Sequence, residues 1–318
     1  PDPESVFAVM RAIANLEFSG DRDRLGYVPR RPDTTCQYAY DNWAVLAMAE
    51  ALGKSQERYP YYERSLYYRN VWDPSAGFFR ARDEQGLWLE LPPDPAAIDE
   101  KYVYEGSMWQ WRWAVVHDIA GLVELLGGPS RFLKDLSGFF EKNLHNHGNQ
   151  PALHAPWLFA AAGAPWLSQR WVRRILTEPM HHRFGTHNAL PQPYEGPAFR
   201  NTPDGFIPEM DDDDGCMAAW YVLSSIGLFP ICPGRPLYLV GAPLFEEFSL
   251  ETAAGKPFRI VARDWGPNAW YIQSAKLNGQ PLLVPWLPHD QVASGGLLEL
   301  TLGAKPNREW GAGVKSPW

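Results

Sequence analysis

Apolar residues recur at helical spacing through the first two-thirds of the chain. "ESVFAVMRAIANLEF" shows it near the start, and "TTCQYAYDNWAVLAMAEALGK" carries it from Thr34 to a stop at Gly53. "YYERSLYYRNVWD" follows and ends before Pro74. "MWQWRWAVVHDIAGLVELLGG" reads as one helix that ends at Gly127-Gly128, and "PSRFLKDLSGFFEKNL" begins at once with proline. "PALHAPWLFAAAGA" and "PWLSQRWVRRILTE" form a pair across Gly163-Ala164-Pro165, and "CMAAWYVLSSIGLF" is the last of the series. Proline at the start and glycine at the end bound several of these segments. Short turns between long helices predict αα-hairpins packed in series.

The pattern changes after "PICPGRPLYL". Leu237 to Leu250 alternates in places, while "KPFRIVARD", "AWYIQSAKLNGQPL" and "GGLLELTLG" read as strands. Asn278-Gly279 is a tight hairpin signal. The division expected is a helical part over residues 1–233 and a β-rich segment over 234–318.

At 318 residues and 45% hydrophobic, the chain can bury a large core. The net charge of −8 comes without a basic stripe, so nucleic acid is not an expected partner. No apolar stretch reaches the length needed to span a bilayer. Cys36, Cys216 and Cys232 form no CxxC and no dense framework. The opening "PDPESVFAVMRAIANLEF" has no leader pattern and reads as the interior of a longer chain. The 15 Trp, 14 Tyr and 15 Phe supply either core or platforms for sugar rings.

Two acidic features stand out. In "GFIPEMDDDDGCMAAWYVLSSIGLFP", Asp211 to Asp214 lie directly before the entry to a helix. A run of like charge is ordinarily a solvated loop. An EF-hand reading fails, because Gly215 at the sixth loop position puts Met210 first and Tyr221 twelfth. The positive end of the helix favours ionised carboxylates there, while crowding raises some of their pKa values unless a cation intervenes. Calcium would relieve that conflict, and an ionised carboxylate suits a general base.

The second feature is Glu105, at a loop-to-helix junction among Tyr102, Tyr104, Trp109, Trp111 and Trp113. A poorly hydrated, aromatic setting raises a glutamate pKa and suits a general acid; the alternative is a residue that only caps the helix. One acid and one base carboxylate are what a glycosidase requires. His181, His182 and His187 lie in the Pro-rich stretch "MHHRFGTHNALPQPYEG", which reads as a surface loop, with zinc as the alternative.

These segments carry a resemblance. "YAYDNWAVLAMAEALGK", "YYRNVWDPSAGFFRAR", "YEGSMWQWRWAVVHDIAGLVELLGG", "GNQPALHAPWLFAAAGAPWLSQRWVRRIL", "NTPDGFIPEMDDDDGCMAAWYVLSSIGLFPICPG" and "YIQSAKLNGQPL" are similar, in order and spacing, to the calcium-dependent exo-acting α-mannosidases of glycoside hydrolase family 92. The resemblance implies a mainly α fold with a β segment: an (α/α)6 barrel catalytic domain, here its C-terminal half, followed by a small β region associated with a β-sandwich domain. It implies an inverting enzyme that removes terminal α-linked mannose, α-1,2 or a related linkage, from glycans. The N-terminal β-sandwich and the remaining barrel half would come from the same protein, and the location would be secreted or periplasmic.

Carried over residue by residue, Glu105 matches the general acid, and anchoring on Gly215, Met217 and Trp220 puts the base at Asp213 with Asp211 as its partner. Asp212 and Asp214 stay open at one residue's uncertainty in that alignment, and are otherwise read as solvated or capping. Asn149, Gln150 and Trp109 are the expected substrate contacts, and Asp211, Asp213 and Gln150 the expected calcium ligands. Three departures matter: Gln150 stands where the family usually has Glu, Cys216 where it has Gln, and the segment from Met180 to Arg200 is longer than its norm. The competing readings are a metal-independent (α/α)6 glycosidase acting on α-glucosides and a non-catalytic carbohydrate-binding homologue.

Overall fold

Helix α1 (Pro3–Glu17) starts where Asp2 accepts the Ser5 amide proton at 3.0 Å, with proline in its first turn. It is the first element of a computed structural model that describes residues 2–183, 192–203, 205–207, 212, 214–314 and 316–318. The chain separates into two compact units, Pro1–Gly128 and Pro129–Trp318.

In the first unit, α2 (Asp21–Leu25) leads to α3 (Pro32–Ala51) and α4 (Tyr59–Ser65). Phe7 and Ala14 of α1 bury against Val45, Leu46 and Ala49 of α3 and Tyr61 of α4. Strands β1 (Trp72–Asp73) and β2 (Phe78–Phe79) make a small antiparallel hairpin. The segment expected as one helix from Met108 is two, α5 (Met108–Trp111) and α6 (Ile119–Leu125). The reason is a competing cap. Asp118 Oδ1 accepts the Gly121 amide at 2.8 Å and starts a new helix, while Oδ2 accepts the Tyr68 hydroxyl at 2.6 Å. The backbone between the two helices instead buries Trp113, Val115, Val116 and His117.

The second unit opens with α7 (Pro129–Glu141), α8 (Ala155–Ala161) and α9 (Pro165–Thr177). A hairpin follows, β3 (Pro179–His182) paired antiparallel with β4 (Tyr194–Pro197), and then α10 (Cys216–Ile226). His181 and His182 therefore lie on a strand, not in a surface loop, and His182 is only 1% exposed. His187 lies outside the described residues.

Gly227 ends α10 in the left-handed conformation and turns the chain directly into β5 (Leu228–Phe229). The remaining strands are β6 (Leu237–Val240), β7 (Glu247–Leu250), β8 (Phe258–Arg263), β9 (Tyr271–Leu277), β10 (Gln280–Pro281), β11 (Trp286–Pro288) and β12 (Gly296–Gly303), with a short α11 (His289–Ala293) before the last. They form a five-stranded sheet in the order β10-β9-β12-β8-β7 and a three-stranded sheet β11-β6-β5. Only the β12–β8 pairing is parallel in the larger sheet. Leu298, Leu300 and Leu302 alternate inward along β12 and meet Phe258, Ile260 and Ile272. Each such leucine stabilises the sheet by roughly 1.5–3 kcal/mol through burial.

Gln169 of α9 accepts the Ile272 amide of β9 at 3.0 Å in a buried position, so α9 and the larger sheet belong to one body. The change from helix to strand falls at Gly227–Leu228, whereas the boundary between compact units falls at Gly128–Pro129. Among the described residues, no helix is long and apolar enough to cross a membrane.

Candidate active site

Ser107, not Glu105, caps α5. Its side chain accepts the Gln110 amide and the Gln110 side chain accepts the Ser107 amide at 2.8 Å, a complete capping box. Glu105 sits just outside, half-buried, with φ of 43°. A non-glycine residue in this region pays for it, and here the surroundings impose the conformation. Asp33 accepts the Tyr104 amide at 2.8 Å, and the Trp111 indole donates to the Tyr104 carbonyl at 2.7 Å. The backbone is therefore pinned on both sides of Tyr104, through its N–H and through the carbonyl of the peptide that leads into Glu105. The Tyr104 phenol is raised above its ordinary pKa, first by its hydrogen bond to Glu105 and then by that carboxylate's charge.

Trp109 is half-buried beside this junction. Its ring meets Phe78 edge-on at 5.0 Å, and the Arg112 guanidinium lies 5.1 Å from its centroid. Arg112 is 5% exposed and is also within cation–π reach of Trp72, Phe78 and Trp113. Neither Asp33 nor Arg112 stood out in the sequence. Asp33 lies 71 residues from Tyr104 and gives no local signal. The S-x-x-Q pattern at Ser107 and Gln110 did carry one.

The other candidates lie in the second unit. Asn149 is 1% exposed and accepts the Gln150 amide at 2.7 Å, which starts a short 3₁₀ turn over Gln150–Ala152. Gln150 is exposed, and its Nε2 lies 3.9 Å from Sγ of Cys216, the first residue of α10. Two further bonds hold this loop and α8 on α10: the Trp220 indole donates to the Leu153 carbonyl at 2.9 Å, and the Trp157 indole to Ser224 Oγ at 3.2 Å. The fold thus brings Gln150 to the helix entry that follows the aspartate run, across 66 residues of sequence. None of the three cysteines is in a disulfide; Cys36 and Cys232 are buried and Cys216 is exposed.

Within the run, Asp212 Oδ1 accepts the Ala218 amide at 2.8 Å, and its carbonyl accepts the Gly215 amide at 2.9 Å. Asp214 takes a left-handed φ of 57° before Gly215. Asp211 and Asp213 lie outside the described residues. Among the described residues, no group of three His, Cys, Asp or Glu side chains is arranged to hold a metal ion.

A family model for the "Glycosyl hydrolase family 92 catalytic domain" matches residues 8–189 and 193–304. An "Uncharacterized secreted glycosidase" of Arthroderma benhamiae is 30% identical over 312 residues, which is 91% of this chain and 37% of that protein. Among solved structures, a family GH92 inverting mannosidase from Bacteroides thetaiotaomicron is 31% identical with a TM-score of 0.81, over 93% of this chain and 41% of its own. A family GH92 α-mannosidase from the same organism is 27% identical with a TM-score of 0.83, over 99% of this chain and 41% of its own. The chain spans about two-fifths of the length of these relatives.

Proposed function

Because this chain belongs to glycoside hydrolase family 92, we propose that it forms the acid- and base-bearing part of an exo-acting, calcium-dependent, inverting α-mannosidase. The substrate is a glycan ending in α-linked mannose, with α-1,2 or a related linkage. In this reading an (α/α)6 barrel and a β-sandwich are completed by further sequence of the same protein, which is secreted or periplasmic.

Glu105 acts as the general acid and donates its proton to the departing glycosidic oxygen. Asp213, oriented with Asp211, takes the proton from a water that attacks the opposite face of the sugar. Inversion needs room for that water, so the two carboxyl groups are expected roughly 6.5–9.5 Å apart in the mannose-bound enzyme. Asn149 and Trp109 contact the substrate. Gln150 has an exposed amide at the entry of α10, and its carbonyl oxygen is a hard donor of the kind calcium prefers; with Asp211 and Asp213 it would hold the ion. When bound, calcium would engage two neighbouring mannose hydroxyls and favour a flattened ring.

The observation that most supports this reading is the setting of Glu105. It stands outside the cap of the helix that follows, in a left-handed backbone, and the residue is half-buried. The test is the Glu105→Gln variant of the complete enzyme with two substrates. Turnover of an α-mannoside with a poor leaving group should fall by about 10²–10⁴, while one with an activated aryl group should lose far less. Equal losses on both substrates would remove Glu105 from the role of acid.

A further inference from the structure

Asp33 is the second residue of α3, and its side chain is wholly buried. The positive end of a long helix favours a carboxylate there, but a buried one has lost its water and needs donors in return. Arg31 supplies two. Its Nε donates to Oδ1 at 3.1 Å and its Nη2 to Oδ2 at 2.6 Å, so the guanidinium grips both oxygens. A third donor comes from the loop that enters α5: the Tyr104 amide, on Oδ2 at 2.8 Å.

The Arg31 end of this arrangement is itself held. Thr35, fully buried, accepts the Val28 amide at 3.0 Å and donates its hydroxyl to the Arg31 carbonyl at 2.9 Å. The chain beyond Glu105 is also close-fitted. A Cβ on Gly106 would lie 3.0 Å from the Trp111 indole nitrogen, and the Ser107 amide is taken by Gln110. Trp111 and Gln110 are local to the Glu105 loop. Asp33 is the anchor among these that arrives from another element, 71 residues away from Tyr104.

We infer that Arg31 and Asp33 are a positioning pair for Glu105: the ion pair holds the Tyr104 N–H, and through it the left-handed backbone from which Glu105 presents its carboxyl to the leaving-group oxygen. This rests on the reading of Glu105 as the general acid. The physical reason is the backbone. A glutamate with φ of 43° relaxes toward an ordinary conformation unless its neighbours prevent it, and that relaxation re-aims the side chain. A displacement of about 1 Å is enough to slow a reaction by about 10². A charge-assisted bond is about twice as strong as a neutral one, which suits an acceptor that must hold a strained peptide. Tyr104 adds a second link, since its phenol is hydrogen-bonded to Glu105. The network lies within the first unit.

The complete enzyme tests it, with the same two α-mannosides as for Glu105→Gln. Asp33→Asn keeps the shape and one acceptor oxygen but removes the charge that Arg31 and Tyr104 share. With the poor leaving group, kcat should fall about 10–10²-fold while KM changes little. With the activated aryl group the loss should be far smaller, because that oxygen departs without needing a proton. In a Glu105→Gln background, Asp33→Asn should cause no further loss, since the acid it positions is gone. Arg31→Lys keeps the positive charge but cannot grip both oxygens, and should show the same selective loss in smaller measure.

Equal losses on both substrates for Asp33→Asn, or losses that multiply with those of Glu105→Gln, would overturn the pair and leave the acid in place. Parent-like kcat in Arg31→Lys would likewise overturn it. If Asp33→Asn does not fold, Arg31→Lys and its combination with Glu105→Gln decide by the same criteria. Equal losses in Glu105→Gln alone would remove the acid, and the role of the pair with it.

Discussion

Asp212 and Ala218 are joined by a hydrogen bond, carboxylate to backbone amide, at 2.8 Å. One of four consecutive aspartates is therefore committed to holding the entry of α10. Replacing Asp212 with Ala should cost about 1 kcal/mol of stability, as loss of a capping side chain does, and leave most of the turnover. Asp213→Ala should do the reverse: turnover falls by about 10²–10⁴, while stability is kept or rises as like charges are thinned. Thermal melts and kcat on the two variants, side by side, check the division.

Removing calcium should abolish activity if Asp211, Asp213 and Gln150 hold the ion. Dialysis against a chelator, followed by calcium, should restore it. Magnesium should restore little, because it demands a tighter octahedral shell. Full activity after chelation on an α-glucoside, with none on an α-mannoside, would select the metal-independent alternative.

Glu17 and Asp41 make a carboxyl pair at the α1–α3 contact. Glu17 is raised to about 7, first by burial and then by the charge and hydrogen bond of Asp41, with Arg22 opposing. A carboxyl raised in the folded state stabilises below its unfolded pKa, and that stability is lost as pH rises through 7. The Glu17→Gln variant should match the parent near pH 4 and melt higher than it at pH 8.5. Identical melting shifts at the two pH values would show that the pair does not share a proton.

Gly227 has φ of 79°, and a Cβ there would come within 2.5 Å of the Gly241 carbonyl oxygen. Gly227→Ala should destabilise by more than about 2 kcal/mol, because backbone must move to admit the methyl group. Urea unfolding of parent and variant measures it. A loss under about 1 kcal/mol, the ordinary cost of the conformation alone, would mean that the turn can shift.

Helix starts were legible where proline set them, as at Pro129 and Pro165, whereas the stop at Gly227 was not, because the apolar pattern runs on through Leu228 and Phe229, which form β5. The Asn278-Gly279 hairpin was equally plain, and both residues take positive φ, 51° and 79°. The break after Trp111 was not legible, because Asp118 draws on Tyr68, 50 residues earlier, as well as on its own helix. His182 looked like loop because its sequence neighbours are polar, while it is buried on a strand paired with Tyr194, whose ring stacks on its own. At the candidate site, the residue types were readable and their neighbours were not. Nothing local to Gln150 announces Cys216, and nothing local to Glu105 announces Asp33 behind Tyr104.

The left-handed backbone at Glu105 bears on how replaceable that residue is. Glycine fits the conformation without cost, and asparagine or aspartate tolerates it better than a longer chain does. Stability alone would thus favour Gly or Asn over Glu by a fraction of a kcal/mol to about 2 kcal/mol. A Glu105→Gly protein should accordingly be inactive and yet melt no lower than the parent. That pairing of outcomes belongs to a side chain held for its chemistry at the expense of its own backbone.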